Sequence, residues 1–151
     1  KKRLGATAYF LQNNYYQYRD YALVGTKGYT FEGPFYINPK GSIVGWDEDN
    51  EQQARKLVAR EAERLRTSFE SAKSAGFSKY IMFLHYPPTN ILEDESIFTK
   101  MAEEYGVEHV VYSHCHGESR FGDSIRGMYH GIHYHLVSGD YLNFIPEKIL
   151  E

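Results

Sequence analysis

Two histidines flank the single cysteine of the chain in the stretch VVYSHCHGES, residues 110 to 119, directly after a run of β-forming residues. A third histidine, His85, ends another apolar run and precedes two prolines. Neutral imidazole is the commonest protein ligand for zinc and also binds iron and manganese, so His85, His114 and His116 are candidate metal ligands. Cys115 offers a thiolate ligand or a reactive thiol instead. The His-x-His spacing alone leaves open a metal site, a reactive thiol and buried side chains without a chemical role.

The segments that position these histidines alternate between predicted strands and helices. Tyr, Phe, Leu and Val predict a strand meander near the start of the chain, and the turn-forming pairs Asn13-Asn14 and Arg19-Asp20 separate its strands. A stretch rich in Gly and Pro predicts a long loop over residues 27 to 49. Further strands are predicted where apolar runs are short and nearly continuous. The predicted strands are TAYFLQ, YYQYRD, YALVGT, YIMFLHYPP, EHVVYSH and one or two within MYHGIHYHLVSGDYLNFI.

Apolar residues that recur every three or four positions predict two helices, at about 49 to 75 and about 94 to 105. Strands that alternate with helices are typical of the α/β class, with a mixed, partly parallel sheet and two main helices. Ligands of such sheets bind beyond the carboxyl ends of the strands. His85, His114 and His116 all follow covered strands, and we therefore expect them to converge on one edge of the sheet.

The composition excludes several classes of protein. A chain of 151 residues that is 42% apolar and 16% aromatic is expected to form one domain, residues 1–151, with a sizeable core. The formal charge is −3, with 17 basic and 20 acidic residues that are interleaved, which argues against a nucleic-acid partner. No apolar run approaches the ~18 residues of a membrane span, so no membrane partner is expected. One cysteine excludes an internal disulfide framework and predicts a reducing, cytoplasmic location.

Two histidine motifs resemble the calcineurin-like metallophosphoesterases. FLHYPP, residues 83 to 88, and YSHCHGE, residues 112 to 118, are similar to the last two signatures of that superfamily, a strand-end histidine and a Gly-His-x-His element. GTKGYT, residues 25 to 30, and YHLVSGDYLNF, residues 134 to 144, are similar to stretches of a bacterial branch of predicted phosphohydrolases in that superfamily. The glycine of the second signature is Ser113 in this chain, a small replacement.

The resemblance implies a hydrolase with a four-layer αββα sandwich and two divalent transition metal ions, manganese, iron or zinc. It implies that His85 and His114 hold one ion and that His116 holds the other. The paired cations would bind phosphate oxygens and lower the pKa of a bridging water, which would attack the phosphorus of a phosphate ester or a phosphorylated small molecule.

Three further signatures of the family do not occur in these 151 residues: Asp-x-His, a Gly-Asp preceding the histidine motifs, and Gly-Asn-His-Asp. The general-acid histidine of the family therefore has no counterpart, and no catalytic residue is assigned. We interpret the chain, which has no initiator methionine, as the C-terminal portion of a longer metallophosphoesterase domain. The N-terminal half is its expected partner, and the chain alone is expected to hold one ion or none and to be inactive. Exposed apolar strand surface would favour a homo-oligomer.

Several other polar residues invite a functional interpretation. His133 and His135 share one face of a predicted strand, with His130 nearby, and could chelate a metal ion. We interpret them instead as a solvated or hydrogen-bonded strand face. His109 at a strand start is interpreted as structural. Cys115 is expected to be a small buried hydrophobe, since an extended segment would point it away from its neighbours.

Lys27 is a candidate contact for phosphate or a solvated turn residue, and Asp140 is expected to cap or pair near the terminal strand without a catalytic role. An alternative to the enzyme remains open. The same histidines could hold one structural metal, or none, in a non-catalytic metal-binding or protein-interaction module with a surface rich in tyrosine.

Overall fold

A mixed sheet of six strands forms the centre of the protein. The computed structural model describes residues 8–29, 35–37, 43–45, 48–89 and 95–151. The strands of this sheet are β1 Tyr15–Tyr18, β2 Tyr21–Thr26, β5 Tyr80–Leu84, β6 Val107–Tyr112, β7 Gly127–Tyr129 and β8 Ile132–Leu136. Strands β2, β5, β6 and β8 pair in parallel, and β1 and β7 pair antiparallel at the two edges, which gives the order β1-β2-β5-β6-β8-β7. A separate antiparallel pair consists of β3 Phe35–Ile37 and β4 Ile43–Gly45.

Three helices connect the strands in the described ranges: α1 Glu48–Ser74, α2 Ile97–Glu104 and α3 Glu118–Gly122. The predicted apolar stripe of α1 is buried at Ala54, Ala62, Leu65, Phe69 and Ala72. The same helix also buries Glu61, which accepts hydrogen bonds from Thr26 Oγ1 at 2.5 Å and from Arg64 at 2.6 Å. These partners offset the cost of placing a carboxylate in the core.

The hydrophobic core lies between the helices and one face of the sheet. Helix α1 contacts β1, β2 and α2, and helix α2 contacts β6. Alternate strand residues face these helices, among them Val24, Met82, Val110 and Tyr134. The intervening residues of the same strands, which include Leu23, Ile81, His109 and His133, therefore face the other side of the sheet.

The predicted mixed α/β fold with two main helices is confirmed, as are the partly parallel pairing and the extents of β2 and α1 to within one residue. Helix α2 begins at Ile97, because Ser96 caps it by accepting hydrogen bonds from the backbone of Phe98 and Thr99. Within the described ranges, no helix combines the length and apolar character that crossing a membrane requires.

Two predicted elements differ from the structure. The segment TAYFLQ is not a strand over residues 8–12. The Asn14 side chain accepts a hydrogen bond from the N–H of Gln12 at 2.6 Å and donates one to the carbonyl of Phe10 at 3.0 Å, so it competes with a strand ladder for these backbone groups. The predicted loop over 27 to 49 contains the β3–β4 pair, and its other residues from 30 to 47 lie outside the described ranges.

Candidate functional site

His85 and His114 lie side by side beyond the carboxyl ends of β5 and β6. These strands are parallel neighbours, so the residues that follow them emerge at the same edge of the sheet. Nε2 of His85 is 3.2 Å from Nδ1 of His114, and the two ring centroids are 5.0 Å apart. The His85 residue is exposed to solvent, and His114 is half-buried.

A tight turn places His114. The N–H of Cys115 donates to the carbonyl of Ser113 at 2.8 Å, and His114 between them has φ +68°. This bond across one residue and the left-handed φ are the features of a γ-turn, which is rare and strained for a residue with a side chain. The N–H of Ser113 also donates to the carbonyl of His85 at 3.2 Å and so fixes the turn against the end of β5.

The hydroxyl of Ser113 lies beside the other nitrogen of His85. Its Oγ is 3.3 Å from Nδ1 of His85, which leaves Nε2 directed at His114. If Nδ1 carries the proton and donates it to Ser113, Nε2 has the lone pair that a metal ion requires. Ser113 therefore contacts the first candidate ligand directly.

His116 is held by a carboxylate on a different segment. Its Nδ1 is 2.8 Å from Oδ1 of Asp140, and Oδ2 of the same carboxylate accepts the N–H of Gly117 at 2.9 Å. Although desolvation acts in the opposite direction, the hydrogen bonds from Gly117 and His116 hold the pKa of Asp140 below its usual value. The charged carboxylate thus orients His116 and leaves Nε2 for a ligand, an arrangement common to metal-binding histidines.

Lys27 and Tyr86 extend this edge of the sheet. The carbonyl of Lys27, just after β2, accepts the N–H of His85 at 3.1 Å and the N–H of Tyr86 at 3.0 Å. The Lys27 ammonium lies 5.0 Å from the centroid of the Tyr86 ring, and that ring centroid is 4.3 Å from that of His114. A positive charge therefore lies on the same edge as the histidine pair.

A second group of histidines lies on the sheet face away from α1 and α2. Among the residues that the structure describes, His109, His133 and His135 are the group of three or more potential metal ligands whose ligand atoms all lie within 4.8 Å of one another. Nδ1 of His109 is 3.0 Å from Nε2 of His135, and Nδ1 of His135 is 2.9 Å from Oε1 of Glu147. Burial and the neighbouring rings of His135 and His133 lower the pKa of His109, which favours the neutral imidazole.

The structure brings together some of the predicted site residues and separates others. His85 and His114 are adjacent. The ligand atoms of these two residues and of His116 do not all lie within 4.8 Å of one another, whereas those of His109, His133 and His135 do. The metal roles of His85, His114 and His116 stay predictions.

The remaining sequence interpretations are tested by individual contacts. Cys115 is buried in the core as predicted, although the backbone around it is turned rather than extended. Asp140 pairs as predicted, and its partner His116 could not be foreseen. His130 is exposed and pairs with Glu103 at 2.9 Å.

The interpretation of His109 as merely structural missed its place beside His133. These residues lie 24 positions apart and meet only because β8 pairs with β6. Three His positions on two strands were the available signal, but the strand order that unites them is not readable from spacing.

The contact between His85 and His114 has a separation that fits a shared metal ion. Two nitrogens that ligate one tetrahedral zinc at ~2.0–2.1 Å are about 3.3 Å apart. The separation of 3.2 Å between His85 and His114 agrees with that value. His116 is oriented by a carboxylate, as metal-binding histidines usually are.

Comparison of the chain with models of protein families, with curated proteins and with solved structures gives no match. The function is therefore argued from the chemistry of the site.

Proposed function

We propose that this chain carries part of a metal-dependent phosphoesterase site that hydrolyses a phosphate ester with a metal-activated water. The observation that carries the proposal is the 3.2 Å contact between the ring nitrogens of His85 and His114 at the ends of adjacent parallel strands. Divalent cations such as manganese, iron or zinc, when bound, supply positive charge for the phosphate oxygens and lower the pKa of the attacking water.

The residues of the chain have separate roles in this proposal. His85 and His114 hold one cation, and Ser113 orients His85 through Nδ1. His116 holds the second cation, with Asp140 fixing the direction of its ring. Lys27, which lies over Tyr86 at the same edge, binds a phosphate oxygen of the substrate. Such a substrate is a phosphorylated small molecule or another phosphate ester.

The remaining ligands and the general acid belong, in this proposal, to an N-terminal half that completes a four-layer αββα sandwich. The sheet face away from the helices supports this proposal, because it carries apolar residues that include the partly exposed Leu23 and Phe83. A second copy of the chain covering the same face is the homo-oligomeric alternative. The unpaired, buried Cys115 suits a reducing, cytoplasmic compartment.

The test measures manganese binding and phosphate binding together. The chain is stripped with EDTA, loaded with Mn²⁺ and analysed for metal content. Broadening of the ³¹P resonance of inorganic phosphate then reports whether phosphate approaches the paramagnetic ion. We expect His85→Ala and His114→Ala each to lose about one ion per chain and the associated broadening, because either change removes one of two ligands.

His130→Ala is the matched control, since it removes an exposed imidazole that pairs with Glu103. It is expected to leave metal content and broadening unchanged. Equal metal content in the unaltered chain, His85→Ala and His114→Ala would overturn the proposed site. Metal loss in the two variants without any phosphate broadening in the unaltered chain would instead favour the non-catalytic metal-binding module.

A further inference from the structure

Three histidines meet on the sheet face opposite α1 and α2. His109 on β6 lies directly beside His133 on β8, and His135 follows two residues later on the same face. The three ring centroids are 5.9, 5.3 and 4.2 Å apart. We propose that His109, His133 and His135 form a second metal site, which binds a divalent transition-metal cation such as zinc.

The ligand atoms are already close to the arrangement that one ion requires. Nδ1 of His109 and Nε2 of His135 are 3.0 Å apart, and all three ligand atoms lie within 4.8 Å of one another. Tetrahedral ligands of zinc are about 3.3 Å apart, so a rotation of the half-buried His133 ring closes the remaining gap. Three imidazoles suit zinc, copper, nickel or cobalt better than magnesium or calcium, which prefer oxygen ligands.

The carboxylate of Glu147 orients one of the three histidines, as carboxylates commonly do in metal sites. Its Oε1 lies 2.9 Å from Nδ1 of His135, whose side chain is only 5% exposed. The carboxylate accepts the Nδ1 proton and thereby fixes the tautomer in which Nε2 has a lone pair directed at His109. A carboxylate that selects the metal-binding tautomer of a buried histidine is the usual outer contact of such sites.

This site is separate from the edge that carries His85 and His114. His109 is followed by three more residues of β6, about 10 Å of extended chain, before the turn that contains His114. The proposal therefore does not rest on the proposed phosphoesterase function. An ion at this position would join β6, β8 and the terminal segment that carries Glu147, so its expected role is to stabilise the fold.

The experiment isolates this site by removing the other one. The double variant His85→Ala/His114→Ala is stripped with EDTA and titrated with Zn²⁺ against a chromophoric chelator. We expect one zinc ion per chain. Loss of a carboxylate that orients a ligand costs roughly 10–100-fold in metal affinity, which is the expected effect of Glu147→Gln. Loss of a ligand by His133→Ala is expected to exceed that range, at about 100-fold or more.

Two checks keep the result interpretable. His130→Ala, placed in the turn between β7 and β8, removes a nearby exposed imidazole and is expected to leave the affinity unchanged. Ring resonances of histidine in the unaltered chain provide a measurement that needs no variant, and zinc is expected to shift those of His109, His133 and His135. Thermal unfolding of each metal-free variant shows that it is folded.

The second site would be overturned if the double variant took up no zinc. It would also be overturned if adding His133→Ala to that variant left its zinc affinity unchanged. Ring resonances of the three histidines that do not respond to zinc would have the same meaning and would identify the group as a hydrogen-bonded cluster. Zinc uptake that the double variant loses entirely would assign the bound ion to His85 and His114. The phosphoesterase proposal fails on a different result, equal metal content in the unaltered chain, His85→Ala and His114→Ala, so failures of the two proposals are distinguishable.

Discussion

His114 combines a candidate ligand role with an unfavourable backbone conformation. Its φ of +68° lies in the left-handed region, and the hydrogen bond between Cys115 and Ser113 closes the turn around it. Residues other than glycine held in such regions cost of order 1–3 kcal/mol and cluster at functional sites. The turn directs the imidazole towards His85.

The strain at His114 predicts an inverted order of two variants. A variant with alanine is normally more stable than the variant with glycine at the same position. At position 114 we expect the reverse, with His114→Gly more stable than His114→Ala by about 1 kcal/mol, because only alanine has a Cβ that opposes positive φ. Urea unfolding of both variants measures the difference. The same pair at His85, which lies outside the left-handed region, should show the ordinary order, with alanine the more stable. Equal stabilities of the two His114 variants would contradict the strained turn.

At the residue scale, sequence reasoning identified which residue types matter but not all of their contacts. His85 and His114 could be placed together because both follow covered strands of one predicted sheet. The contacts of Asp140 with His116 and of Ser113 with His85 depend on side-chain directions within irregular loops. Spacing along the chain does not specify such directions, because loop residues lack the fixed periodicity of helices and strands.

Close approach of two neighbouring strands requires a glycine in β2. A Cβ added at Gly25 would lie 2.5 Å from the carbonyl oxygen of Phe83 on β5 and 2.9 Å from Cδ2 of Leu11. The backbone oxygen cannot rotate away, so Gly25→Ala must displace the strands and is expected to destabilise the fold by about 1–3 kcal/mol. Gly122→Ala is the control, since nothing lies within 4 Å of its added Cβ. Chemical unfolding that gives both variants the same free energy would show that the β2–β5 contact is looser than described.

An ion pair connects helices α1 and α2. Nη1 and Nη2 of Arg66 on α1 lie 2.9 and 3.2 Å from the two carboxylate oxygens of Glu104 on α2. The hydrogen bond from Arg66 is the main reason that the pKa of Glu104 is below its usual value. The pair therefore contributes stability above the pKa of about 4.3 of an unfolded glutamate, and that contribution is lost as the pH falls through the lower folded value.

This pair predicts a specific titration. In a ¹³C NMR titration, the Glu104 carboxyl of the unaltered chain should have a midpoint below that of the Arg66→Gln variant, in which the charged partner is removed. Lys79→Gln, which breaks the separate pair of Lys79 with Asp20 at 2.7 Å, should leave the Glu104 midpoint unchanged. A Glu104 midpoint that is the same with and without Arg66 would exclude the contact in solution.

At the scale of elements, the predictions succeeded where periodicity is strong. Helix α1 has apolar residues that recur every three or four positions from Ala54 to Ala72, and β2 contains β-branched and aromatic residues. Both elements were predicted almost to the residue. The segment around Tyr9 and Phe10 also has strand composition, but both side chains are exposed and the Asn14 amide binds the nearby backbone. A local side-chain contact thus overrode a preference that the aromatic residues alone would favour.

At the scale of the whole molecule, the mixed α/β class could be predicted, but the strand order could not. Parallel pairing of β6 with β8 places His109 beside His133 although α3 and β7 lie between these strands in the sequence. Such non-consecutive pairing depends on how the entire sheet packs against the helices. The second candidate metal site is therefore a property of the assembled sheet rather than of any one segment.

Among the residues that the structure describes, the carboxylate in contact with His116 is that of Asp140. Its Oδ1 lies 2.8 Å from Nδ1 of His116 and accepts the N–H of Tyr141, and its Oδ2 accepts the N–H of Gly117. Two divalent cations a few ångströms apart repel each other strongly, and an anionic ligand between them normally offsets that repulsion. The three neutral candidate ligands cannot supply that charge, so the chain alone is not expected to hold a complete pair of ions.

In the phosphoesterase proposal the bridging carboxylate belongs to the N-terminal half, which predicts that the 151-residue chain is catalytically silent by itself. The proposal also places the general acid in the N-terminal half, and a general acid typically contributes a further 10²–10⁴-fold in rate. With Mn²⁺ and p-nitrophenyl phosphate, hydrolysis by the chain should equal that of the His85→Ala/His114→Ala variant. Turnover that the double variant abolishes would mean that these histidines suffice for catalysis, and the requirement for a bridging carboxylate would then be wrong. The expected result is background hydrolysis by both proteins together with a loss of bound metal in the double variant. That result would show that the histidines bind the cation but that catalysis requires a negative charge which they lack.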